Sequence, residues 1–221
     1  MRNPSGEPCY VPHVRRQAAI LVAVVVSATL AAPAASPSIN RAAANLIVNG
    51  GFEQPVVPVG SYQLFSVGQS IPGWKIVGTP GANVAPISTA FTQNGYAFPA
   101  RAGKQDIDMT GTSDQIGKDG AAVAQTVKTT PHKHYLLRFS VGNVVDPGVF
   151  GTTSTIVAWV NGKKVLTARN TKGAGSKTIV WQDFSVRFTA TKAATTIQLV
   201  NGDKYTDTAN GLDAVSLTQV P

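Results

Sequence analysis

The sequence predicts an all-β fold, an antiparallel β-sandwich of about ten strands, on three observations. Short apolar runs alternate with turn signals, and Asn-Gly, which favours the positive backbone angles of tight hairpins, begins at 49, 94, 161, 201 and 210. Several runs alternate with a period of two, as a half-buried strand must. No stretch after the N-terminal segment carries a convincing helical period.

Taken in order, the strand candidates are LIVN (46–49), WKIV (74–77), DIDMT (106–110) and AVAQTV (122–127). In HYLLRFSV (134–141) one face holds Tyr135, Leu137, Phe139 and Val141, and the other holds Leu136, Arg138 and Ser140. STIVAWV and KKVLTA flank Asn161-Gly162, the clearest hairpin in the chain. QDFSVRFTA (182–190) turns Phe184, Val186 and Phe188 inward, and TTIQLV (195–200) and LDAVSL (212–217) complete the set. One face of each sheet is expected to be core and the other wet.

Ahead of these, Arg15 and Arg16 precede an uncharged run from Ala18 to Ala32 and small residues at 32–34 and 42–44. That order reads as a secretory signal over residues 1–34, followed by a leader at 35–44 and one domain at 45–221. About 15 apolar residues fall short of the roughly 20 that span a bilayer, so the product is expected to be released and free of the membrane after cleavage. Cys9 is the single cysteine and precedes the run, leaving a mature domain without disulfides.

Removing the signal takes away three arginines and Glu7, and the formal net charge falls from +8 to +6. The lysines are spread along the chain with no dense run or interleaved aromatics, which argues against nucleic acid as a partner. The sequence does not state an oligomeric form.

The chemistry of hydrolysis is sparse. Glu53 is the only glutamate after the signal, there is no thiol in the domain, and neither Gly-x-Ser-x-Gly nor His-Glu-x-x-His occurs. A glycosidase needs two facing carboxylates. Asp106 and Asp108 share a strand face, but such neighbours read as solvated acids, and His132 and His134 read as exposed at a strand start. The expectation is a chain that is not an enzyme.

A sugar-binding surface needs exposed rings with polar groups around them. For Trp159, in TIVAWVNG, two readings stand: a stacking platform, or a ring covered by the loop NVVDPGVFGTT. Arg138 and Asp108, outward on their strands, are candidate neighbours, and Tyr96 and Tyr205 lie in loops that would rim such a site.

The ordered motifs NLIVNGGFE, IPGW, GKQDIDMTG, VAQTV, YLLRFSVGN, WVNG, WQDFSVRFTA and GLDAVSL resemble the DUF642 and choice-of-anchor group of secreted proteins. That resemblance implies a galactose-binding-like jelly roll and a non-catalytic carbohydrate-binding module for a cell-wall or extracellular polysaccharide, with Trp74 in the core, Trp181 in a packing role, and Trp159 on the outer face with Val157. A basic, adhesin-like wall protein binding acidic polymers or proteins is the alternative. It also implies a structural calcium ion, with Asn49 and Glu53 of NGGFE and Asp213 of the last strand as ligands, against the plain reading of Glu53 as a solvated acid. Ala214 departs from the paired acid usual at that point of the group.

Overall fold

The computed structural model describes residues 44–112, 120–203 and 209–221. The expected signal and nearly all of the leader, and Tyr205 as well, fall outside the described residues.

Fourteen strands form two six-stranded antiparallel sheets and one small hairpin among the described residues. In chain order they are β1 (Phe65–Ser66), β2 (Ser70–Ile71), β3 (Trp74–Val77), β4 (Asn83–Ser88), β5 (Thr92–Gln93), β6 (Tyr96–Ala97) and β7 (Gln105–Asp108). They continue with β8 (Ala122–Lys128), β9 (His134–Asn143), β10 (Ser154–Val160), β11 (Lys163–Asn170), β12 (Val180–Thr189), β13 (Ala194–Asn201) and β14 (Gly211–Val220). The first sheet runs β1-β4-β7-β14-β9-β12 and the second β11-β10-β13-β8-β3-β2, while β5 and β6 pair alone. This is the antiparallel sandwich that the alternation predicts.

The apolar positions expected to face inward do so. Tyr135, Leu137, Phe139 and Val141 of β9 pack against Ile156, Ala158, Ile197 and Leu199 of the second sheet, with Trp74 stacked on Phe52 at 5.5 Å. The Asn161-Gly162 turn has φ of 49° and 77°, as a two-residue hairpin requires, and joins β10 to β11. Phe184, Val186 and Phe188 point to the core but stay half-buried, because β12 is an edge strand with no neighbour beyond it.

Two expectations change. LIVN is not a ladder strand: Gln125 bonds both the N–H and the C=O of Val48, at 2.8 and 2.9 Å, and Gln105 donates to the Phe52 and Pro55 carbonyls. Side-chain amides satisfy this backbone where a neighbouring strand would have done so. The outer face of the first sheet is not wet throughout. Ala85, Ile87, Tyr96, Phe98, Val144, Phe150, Ile179 and Ala209 form a second apolar cluster over one part of it. Short loop segments supply most of those rings, and period-two reading cannot place them.

Candidate functional site

Two rows of side chains cross the outer face of the first sheet beneath that second cluster. One runs Trp181, Gly142, Gly211, Asp108, Ala85 across β12, β9, β14, β7 and β4. The next, two residues along, runs Asp183, Ser140, Asp213 on β12, β9 and β14, then Asp106 and Ile87 on β7 and β4. The pleat puts all of them on one side.

The glycines make the space. A Cβ at Gly211 would lie 2.9 Å from both Ile179 Cδ1 and Trp181 Cη2, and 3.2 Å from Asp106 Oδ2. Trp181 is fixed by its own Nε1, which donates to the Pro99 carbonyl at 2.9 Å. Phe91, Phe98 and Phe150 then close an aromatic layer, with successive centroids 5.6 and 5.7 Å apart. What remains is a pocket of about 80 Å³ with Ala85, Ile87, Phe91, Phe98 and Ile179 on its walls and Asp106 and Asp108 among its polar groups.

Asp106 is the unusual member. It has 0 % exposure, and neither carboxyl oxygen has a hydrogen-bond partner among the described residues. Burial, and then the negative charges of Asp213, Asp108 and Glu53, push its pKa well above the ordinary carboxylate range. The charged form of this carboxyl is disfavoured where it faces the apolar walls. Asp108 differs: its Oδ1 accepts from the Thr110 N–H at 2.9 Å and from the Thr110 hydroxyl at 2.6 Å.

Alongside, Glu53 and Asp213 come together around Gly51, whose Cβ position lies 3.8 Å from Glu53 Cγ and 3.7 Å from Asp213 Oδ1. Glu53 Oε1 accepts from the N–H groups of Lys104 and Gln105 at 2.8 and 3.2 Å, and Asp213 Oδ2 accepts from that of Ala102 at 3.0 Å. A bulge after Asp213, with Ala214 at φ 53°, sets this geometry. Burial lifts the Asp213 pKa to about 7, backbone hydrogen bonds oppose that, and the Glu53 charge adds to it. Two acids on first and last segments suit a hard cation in their donor chemistry. No group of three acids, histidines or cysteines placed for a metal occurs among the described residues. Asn49 turns elsewhere, donating to the Gln54 and Pro72 carbonyls and accepting from the Gln54 N–H.

The expected sugar platform does not assemble. Trp159 lies on the outer face of the second sheet, as parity implies, whereas Arg138 and Asp108 lie on the outer face of the first. These faces point away from each other, and parity cannot report which sheet a strand joins. Arg138 is also about 13 Å along β9 from the Gly142 row that contains Asp108, at the usual rise per residue. Tyr96 is no rim residue: it is 6 % exposed inside the second cluster, donates to Asp146 Oδ2 at 3.2 Å and accepts from Lys177 Nζ at 3.0 Å. The loop NVVDPGVFGTT contributes Phe150 to that cluster, and Trp159 Nε1 is buried with no hydrogen-bond partner among the described residues.

Sequence reasoning passed over Asp106 as a solvated acid. The signal that marks it is joint: outward glycines at 142 and 211 on neighbouring strands and the aromatic segment FTQNGYAFP, which together provide a lid for that face.

A family model described as HpiC1-like: HpiC1 cyclase matches residues 43–218. The fold is similar to that of a cyclase from Fischerella sp. TAU, at 21% identity and a TM-score of 0.60, covering 81% of this chain and 98% of that one. The CBM22-1 xylan-binding domain from Paenibacillus barcinonensis gives 17% identity, 74% and 97% coverage and a TM-score of 0.46. A family 16 carbohydrate-binding module gives 20%, 79% and 99%, and 0.44. No curated protein matches the chain. The family match overturns the expectation that the chain is not an enzyme, and it puts the HpiC1-like family in the place of the DUF642 group.

Proposed function

Because the chain belongs to the HpiC1-like cyclase family, we propose that it catalyses ring closure of an apolar, unsaturated substrate, with Asp106 as the proton donor. The observation that carries this is the fully buried, unpartnered Asp106 carboxyl in an apolar pocket. A carboxylic acid held neutral by its surroundings can give a proton to a carbon–carbon double bond. The resulting cation is captured by a second unsaturated group of the same molecule, and loss of a proton from the ring product restores the substrate's mass. The rings of Phe91 and Phe98 present π faces to the positive charge and exclude water that would trap it.

The test is incubation of the pure protein with a panel of aryl-substituted dienes in D₂O. A ring-closed isomer carrying one solvent-derived deuterium is expected, and it should vanish with Asp106→Asn. Turnover unchanged in that variant would overturn the role of Asp106.

Sugar contact is a second reading, favoured by the groove of about 450 Å³ beside the pocket, where Arg138, Ser140, Ser185 and Ser216 present polar groups. A glycan array scored for loss of binding in Arg138→Ala tests it. A structural calcium ion held by Glu53 and Asp213, and export with cleavage between residues 34 and 45, complete the proposal. The ion is tested by melting with calcium and with chelator, and cleavage by N-terminal sequencing of secreted protein.

A further inference from the structure

We propose that the open seam between β11 and β12 binds a single acyl chain bearing a carboxylate, at a site separate from the Asp106 pocket. β11 and β12 are edge strands of opposite sheets and lie side by side, so the sandwich is unsealed along this flank. The seam is a groove of about 570 Å³, open along its length.

Its floor is apolar. Val165, Val186 and Phe188 are half-buried, and Phe188 is held by stacking on Tyr135 at 5.9 Å. Its rim is cationic. Lys163, Lys164 and Arg187 line the groove, none of their side chains has a hydrogen-bond or ion-pair partner among the described residues, and no acid lines it with them.

An apolar trough ringed by uncompensated positive charge is complementary to an amphiphile with an anionic head. A neutral sugar would leave the valines and phenylalanine unused, and an acidic polymer would use the cations without the floor. Charged edge strands also keep sheets from pairing with other chains, but that guard needs no trough.

The test is titration of the full chain with dodecanoate below its micellar concentration, followed by amide chemical shifts. Saturable shifts confined to β11 and β12 are expected, with affinity at least 10-fold weaker in the surface variant Lys163→Gln/Lys164→Gln/Arg187→Gln at unchanged Tm. Dodecyltrimethylammonium should give no such shifts. Equal affinity in the triple variant overturns the proposal. So do shifts centred on the Asp106 pocket, a response only to phosphatidylglycerol vesicles or polygalacturonate, or no response to dodecanoate.

Discussion

Asp213→Asn should remove one source of the loss of stability with rising pH. The Asp213 carboxyl has a pKa of about 7 in the folded chain against an ordinary value of 3.8. A pKa raised on folding means that the folded state holds its proton more tightly. Stability from this group is therefore fully present below about pH 4 and is lost as pH rises towards 7 and above. The shift of about 3 units, at 1.36 kcal/mol each, amounts to about 4 kcal/mol. Asparagine cannot ionise, but it keeps one acceptor oxygen where Asp213 accepts from Ala102 and Ala214, so one hydrogen bond worth about 1 kcal/mol is lost. With chelator present, the variant should be less stable than the parent by about 1 kcal/mol near pH 3, about equal to it near pH 4.5, and more stable by about 3 kcal/mol near pH 8. The assay is urea unfolding at these pH values. Millimolar calcium should restore the parent at pH 8 by about 2.7 kcal/mol if its Kd is near 10 μM, and leave the variant unchanged. Parallel profiles for parent and variant across that range would refute the reasoning.

Asp106→Val should raise stability by about 1–2 kcal/mol in thermal melts while abolishing cyclisation, because a lone buried carboxyl costs free energy that an apolar β-branched side chain does not. Gly211→Ala should lower stability by about 1–3 kcal/mol, read by urea unfolding, since its methyl would press on Ile179 and Trp181. Trp159→Phe removes an indole N–H that is buried with no partner among the described residues, and should be neutral or stabilising by up to about 1 kcal/mol in melting experiments.

The strands were legible because their chemistry is local. Tyr135, Leu137, Phe139 and Val141 announce their face by alternation, and Asn161-Gly162 announces its turn by the backbone angles it tolerates. The meeting of Glu53 with Asp213 followed from chain ends that lie close together, which the Leu46–Leu217 backbone bond reflects. The separation of Trp159 from Arg138 was not legible, because alternation sorts inside from outside but carries no information on sheet membership. Asp106 was hidden for a different reason. Its burial is caused by Phe98, Phe150 and Ile179, from segments that have no period of their own.

The division of the apolar residues into two clusters has a consequence for how this chain can change. The cluster between the sheets and the cluster over Asp106 have no buried residue in common. Replacements at Phe91, Phe98 or Phe150 can therefore reshape the chamber around the acid while the partition that keeps the sandwich folded goes untouched. The contour of that chamber is free to drift at a rate set by its loops, and the sheets need record none of that history.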